Sequence, residues 1–203
     1  MIGIIDYGLS NLKSVASAIQ KLDFEGKIIS DVQDLKKVKK LILPGVGAFA
    51  DGMNNLRRLN LIEPLTDMVV NQKKPILGIC LGAQLMCQES FEFGHTKGLG
   101  WINASVVRFS VKEPLRVPHV GWNDLYQVKR SILFDEIPEN ALFYYVHSYY
   151  IKSHEEDIVV GCSDHGEKFT AVIHKDNIYA TQFHPEKSQL YGLKLLKNFI
   201  EKG

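Results

Sequence analysis

Three cysteines in 203 residues, Cys80, Cys87 and Cys162, are too few and too scattered for a disulfide framework or a zinc knuckle. Charge of one sign is missing as well. Lys and Arg total 24 against 23 Asp and Glu, a formal net charge of +1, so nothing in the balance points to nucleic acid or an anionic membrane surface. No apolar run approaches the ~20 residues of a membrane span. Met1 to Asp6 carries no basic n-region or cleavage site, and a cytoplasmic location is expected. Repeats, low-complexity tracts and linkers are absent, so residues 1–203 read as a single domain, and 45% hydrophobic content is enough to bury a core. No pair among the seven histidines has metal-ligand spacing, and no glycine loop matches a nucleotide fingerprint, so neither metal nor cofactor is expected.

What is present begins with Gly78-Ile79-Cys80-Leu81-Gly82. The run before it, Pro75 to Ile79, is short and apolar like a buried parallel strand, and Ala83 to Glu92 has helical composition. Cys80 therefore falls at a strand-to-helix turn, where flanking glycines let helix and strand pack closely, as in the elbow that exposes a serine nucleophile. Unpaired N–H groups at a helix start favour thiolate, and the Leu81 N–H is placed to donate to an oxyanion. Read alone, the pentapeptide fits a small buried cysteine in a tight turn equally well.

Gln182-Phe183-His184-Pro185-Glu186 supplies a second half. Pro185 biases His184 toward extended backbone, in which residues two apart share a side, so the Glu186 carboxylate can lie near the imidazole. Imidazole would take the thiol proton and return it to a leaving amine, with the carboxylate fixing its tautomer. A third segment, Leu43-Pro44-Gly45-Val46-Gly47, ends a strand at the same sheet edge; its N–H groups, Val46 and Gly47, offer a second oxyanion donor.

Patterning predicts strands at 2–6, 27–30, 40–43 and 76–79 alternating with helices at 11–22, 52–59, 62–71 and 83–92, a doubly wound, mostly parallel α/β sheet with sites beyond the strand carboxyl ends. From 100 to 181 the pattern changes to strand candidates at 105–109, 121–128, 141–151, 157–163, 169–174 and 178–182, an additional antiparallel or mixed region. A helix at 190–200 closes the chain. Cys87 and Cys162 read as core thiols, and His95, His154 and His165 as surface residues.

Together with Pro118-His119-Val120-Gly121-Trp122-Asn123 and Val146-His147-Ser148-Tyr149, these segments resemble the class I (triad) glutamine amidotransferases, and more narrowly the glutaminase subunits of imidazole glycerol phosphate synthase. The similarity runs from Asp6-Tyr7-Gly8 to Lys197-Asn198-Phe199. The resemblance implies a flavodoxin-like amidotransferase fold and hydrolysis of the glutamine side-chain amide through a thioester on Cys80, with His184 as base and Glu186 as its orienter. It also implies that Gly47, Gln84, Glu92, His147, Ser148 and Tyr149 hold the glutamine. Of these Glu92 is contested by Glu89 and Gln88, and His147, read from its neighbours alone, is a core or hydrogen-bonding residue. The implied partner is a (β/α)8-barrel cyclase that uses the ammonia, docking on Asn11, Trp122, Tyr144 and Lys187.

Two positions depart from the family pattern: Ser10, where glycine is usual, and Ala83, where methionine is usual. Ser10 adjoins the docking position Asn11, so amination of surface-polysaccharide sugars by a paralogous pair stands as an alternative destination for the ammonia. A stand-alone γ-glutamyl or peptide hydrolase is a further alternative.

Overall fold

The computed structural model describes residues 1–203. The first half alternates as patterning predicts: β1 (Ile2–Ile5), α1 (Leu12–Lys21), β2 (Gly26–Ile29), α2 (Val32–Leu35), β3 (Lys40–Gly45), α3 (Phe49–Arg58), α4 (Ile62–Thr66), β4 (Ile76–Cys80) and α5 (Leu81–Leu85). Every residue of β1 and β4 is buried, as strands covered by helices on both faces must be. α1 starts at Asn11, whose side chain accepts the Ser14 N–H at 3.4 Å, and it buries Val15, Ala18 and Ile19 on one stripe. The predicted helix at 62–71 is α4 continued by a π-turn over Asp67–Asn71.

The helix expected over 83–92 is a correction. α5 ends at Leu85, and the chain enters β5 (Cys87–Ser90), which pairs with β6 (Thr96–Lys97) and, in parallel, with β7 (Ile102–Arg108). Strand partners on both sides override the local helical composition. Two long strand candidates are also divided. Residues 121–128 become β8 (His119–Asp124) and β9 (Tyr126–Gln127), while 141–151 break at Ser148 into β10 (Leu142–His147) and β11 (Tyr149–Ser153). β10 pairs with β8 in a separate two-stranded sheet, whereas β11 joins the main sheet beside β7. The chain continues through β12 (Val159–Asp164), β13 (Lys168–Lys175) and β14 (Ile178–Thr181) to α6 (Gln189–Lys202).

The main sheet runs β2-β1-β3-β4-β14-β13-β11-β7-β5-β6, with β12 alongside β13. β14 lies parallel to β4 although its other neighbour, β13, is antiparallel, so the strand leading to His184 lies beside the one leading to Cys80. Apolar clusters of 29 and 28 buried residues cover the two faces, which keeps this central pair of strands dry on both sides.

Candidate active site

Cys80 ends β4 with φ 52° and ψ −112°, a conformation that L-residues adopt only under constraint. The constraint is crowding around the two glycines. A Cβ on Gly82 would lie 1.7 Å from the Leu43 carbonyl oxygen, and one on Gly78 would lie 2.7 Å from the Ala83 Cα. Ala83, fully buried, fits this close approach. Cys80 remains 7% exposed, at the floor of a cavity of about 410 Å3.

His184 reaches the same cavity from the end of β14. Its backbone is extended at φ −99° and ψ 94°, but Pro185–Lys187 form a 3-10 turn rather than a continued strand. The turn carries Glu186 back under the ring, where Oε1 accepts from His184 Nδ1 at 2.8 Å, both side chains only 2% exposed. The turn is locked from behind. Ser188 Oγ donates to the His184 carbonyl and accepts the Tyr144 N–H at 3.0 Å, and a Cβ on Gly192 would lie 1.9 Å from the Pro185 carbonyl oxygen. Burial pulls the imidazole down, but the Cys80 sulfur and then the Glu186 carboxylate outweigh it and hold the ring up at about 10. The ring is thus tuned to carry a proton beside the cysteine. In this resting geometry Nε2 has no hydrogen-bond partner, while Sγ lies 3.9 Å from the Val146 carbonyl oxygen and 3.8 Å from Gln182 Nε2.

The remaining walls are Val46, Gly47, Leu81, Gln84, Glu92, Pro118, Val146, His147, Ser148, Tyr149 and Lys187. The Val46 N–H donates to the Leu9 carbonyl at 2.9 Å, so in this geometry its peptide would have to turn before it could serve an oxyanion. Leu81 opens α5, where an N–H has no partner within the helix. Glu92 lines the cavity, with Oε2 accepting the Phe49 N–H at 2.6 Å, so one carboxylate oxygen is committed to the start of α3. Its rival Glu89 is bound to His95 and Ser105 at 2.8 and 3.0 Å, and neither Glu89 nor Gln88 lines the cavity.

His147 is buried in a polar chain. Its Nδ1 donates to the Tyr149 carbonyl at 2.9 Å, which makes Nε2 the acceptor for His119 Nδ1 at 3.0 Å; His119 Nε2 in turn faces Asn123 Nδ2 at 3.2 Å. Burial, with the neighbouring imidazoles adding to it, pushes His147 down to about 3 and His119 down to about 4, so both are neutral. His165 is corrected from a surface position: it is half-buried and stacks on His119 with centroids 4.2 Å apart. His95 and His154 are exposed as expected.

Trp122 and Tyr144 meet edge to face at 6.0 Å across the β8–β10 pair, with Lys187 Nζ 5.8 Å from the Tyr144 centroid, so three of the four expected docking residues share one face beside the cavity. Asn11 is exposed at the start of α1, and the Ser10 hydroxyl is buried without a partner. Sequence reasoning overlooked Ser188, Gly192 and Gln182. Gln182 and Ser188 left a signal, sitting two residues before and four residues after His184.

The chain is similar to known proteins over nearly its whole length. The family model for class-I glutamine amidotransferases matches residues 3–202. The chain is 49% identical over 200 residues to imidazole glycerol phosphate synthase subunit HisH 1 of Campylobacter jejuni (strain RM1221), covering 98% of this chain and 99% of the relative. It is 45% identical over 203 residues to subunit HisH 2 of Methanococcus maripaludis (strain DSM 14266), covering 100% of both. Among solved structures, one described as a glutamine amidotransferase superposes with a TM-score of 0.77 at 19% identity, covering 98% of this chain and 97% of the other. PurLQS from Thermotoga maritima superposes with a TM-score of 0.76 at 18% identity, covering 98% and 96%. The two structures share the fold. The chain belongs to the class-I glutamine amidotransferases.

Proposed function

We propose that this chain is the glutaminase subunit of an imidazole glycerol phosphate synthase, one domain that releases ammonia from glutamine for a (β/α)8-barrel cyclase in histidine biosynthesis. The observation that carries the reading is the buried His184–Glu186 pair, 2.8 Å apart, opening on the same cavity as a cysteine held on a strained elbow. The choice of synthase is supported by relatives 45–49% identical over nearly the whole chain that are named as subunits of imidazole glycerol phosphate synthase.

The proton of Cys80 passes to His184 Nε2, and the thiolate attacks the side-chain amide carbon of glutamine. Leu81 and Gly47 N–H groups receive the oxyanion, joined by Val46 once its peptide turns from the Leu9 carbonyl. His184 then gives its proton to the amide nitrogen, ammonia leaves, and a γ-glutamyl thioester remains. Water, deprotonated at the same Nε2, attacks the thioester and releases glutamate. Glu186 holds the tautomer and stabilises the imidazolium throughout. The glutamine ammonium goes to Glu92 and its carboxylate to N–H groups around Ser148, with Gln84, His147 and Tyr149 shaping the pocket. Trp122, Tyr144, Lys187 and Asn11 form the docking face for the barrel.

The division of labour is tested in the assembled complex with Cys80→Ala. Product formation from glutamine should vanish while formation from ammonium salts persists. Equal loss with both nitrogen donors moves the defect out of the glutaminase and overturns the assignment. Stimulation by a sugar-modifying partner but not by a histidine-pathway cyclase keeps the chemistry and replaces the pathway.

A further inference from the structure

We propose that Gln182 is the second donor to the reactive sulfur, a side-chain amide that holds Cys80 as thiolate once its proton has moved to His184. The proposal rests on reading Cys80 as the nucleophile.

Gln182 is fully buried, a setting in which a primary amide persists only with its hydrogen bonds made. Its Nε2 lies 3.8 Å from Cys80 Sγ, and its Oε1 accepts from Gln84 Nε2 at 3.1 Å. This orientation is fixed by the groups around it. Gln84 Nε2 also donates to the Tyr149 carbonyl at 2.9 Å, so Gln84 presents hydrogens, not a carbonyl, to its neighbour. Rotating the Gln182 amide by half a turn would set N–H against N–H at Gln84 and put an oxygen lone pair against the sulfur. The Tyr149 carbonyl is anchored in turn by His147 Nδ1 at 2.9 Å. A continuous buried chain therefore runs from the β8–β10 pair through His147, Tyr149, Gln84 and Gln182 to Sγ.

The two contacts of the sulfur respond oppositely to ionisation. As a thiol, Cys80 can donate to the Val146 carbonyl at 3.9 Å; as a thiolate it repels that oxygen. When the S–H bond breaks and the N–H bond forms on His184 Nε2, the Val146 contact is lost and the Gln182 N–H contact strengthens, because its acceptor is now charged. Gln182 thus favours the reactive state selectively, and it ties that state to the residue lining the pocket, Gln84.

The test uses the full chain and iodoacetamide, with labelling at Cys80, Cys87 and Cys162 read separately. In the wild type Cys80 should label first; if the buried Cys87 or Cys162 labels as fast, the nucleophile assignment itself fails. Gln182→Met keeps the volume and removes the donor. Cys80 labelling at neutral pH should slow about tenfold, and glutamine kcat with the barrel partner should fall about tenfold while KM moves less than about threefold. A folded Gln182→Met protein that labels and turns over like wild type overturns the proposal. Gln182→Glu, a change of one atom, covers the case in which Met prevents folding. The protonated acid donates its O–H to Sγ as the amide does, whereas the carboxylate only accepts. The ratio of variant to wild-type labelling should therefore fall with rising pH, and a ratio independent of pH contradicts the proposed donor.

Discussion

Two loops end neighbouring strands at the same edge of the sheet, and they are built in opposite ways. The elbow after β4 is packed to its limit, with no space for a Cβ on Gly78 or Gly82, and it forces Cys80 to a φ of 52°. The loop after β3 becomes open two residues further on. Val46 is 38% exposed, and a Cβ on Gly47 would meet nothing closer than Leu9 Cδ2 at 3.9 Å. Crowding fixes Cys80, whereas the Val46 peptide is held by a hydrogen bond to Leu9 at 2.9 Å. The site thus combines a cysteine fixed on its elbow and a buried His184–Glu186 pair with a Val46 N–H already engaged elsewhere, which in the proposed reaction separates readiness of the thiol from readiness of the oxyanion cradle.

The largest effect that can break this contrast is at the nucleophile. Cys80→Ala should cost at least ~10⁴-fold in glutamine turnover in a chain that still folds cooperatively, because the elbow glycines remain. Substantial remaining turnover would remove Cys80 from the reaction. Next come the glycines. Gly82→Ala drives a methyl into the Leu43 carbonyl at 1.7 Å and should destabilise the fold by ~3 kcal/mol or more. Gly47→Ala meets no clash, but its φ of 103° suits glycine, so it should cost only ~1–2 kcal/mol while slowing turnover. Denaturation midpoints that ranked the two alike would erase the distinction between the loops.

Solution pH separates the elbow from the histidine chain behind the pocket. His119 and His147 are held down to about 4 and about 3 against an ordinary value of 6.5, so unfolding takes up protons on them. Stability from this pair is complete above pH 6.5 and is lost as pH falls through 4 to 3. His184 has the opposite sign: raised to about 10, it contributes fully below 6.5 and loses its contribution as pH rises through 10. In Tm measured against pH, His119→Asn should flatten the acid arm only. Cys80→Ala removes the first of the groups that raise His184 and should flatten the alkaline arm only. Identical profiles for the two variants would contradict these assignments. The smallest effect is that of Cys80→Gly measured against Cys80→Ala, both of which lack the sulfur: the glycine variant should be more stable by up to ~1 kcal/mol because it relieves the φ of 52°, and a glycine variant less stable than the alanine one would show that the elbow is not strained.

The parallel half was legible because its strands are buried on both faces and written as unbroken apolar runs, Ile2 to Ile5 and Ile76 to Cys80. The elbow and the His184–Glu186 pair were legible because each is local, spanning five residues or fewer. What the sequence concealed depends on distant partners. The stretch 87–90 has helical composition but lies between β6 and β7, and the 141–151 run divides at Ser148 because its halves serve different sheets. Gln182 was visible as a letter of the motif. Its contact with Sγ follows from β14 lying beside β4, a long-range pairing that no local pattern encodes.

On the proposed function, Cys80, His184 and Glu186 stand in place while the Val46 N–H is held by the Leu9 carbonyl. Glutamine turnover measured for the chain alone, with a barrel cyclase, and with that cyclase plus its nucleotide ligand tests it most directly. Turnover should be slow alone and rise about 10²–10³-fold in kcat, with KM changing little, when partner and ligand are both present. Full turnover by the isolated chain would show that the oxyanion cradle needs no rearrangement and would contradict the account.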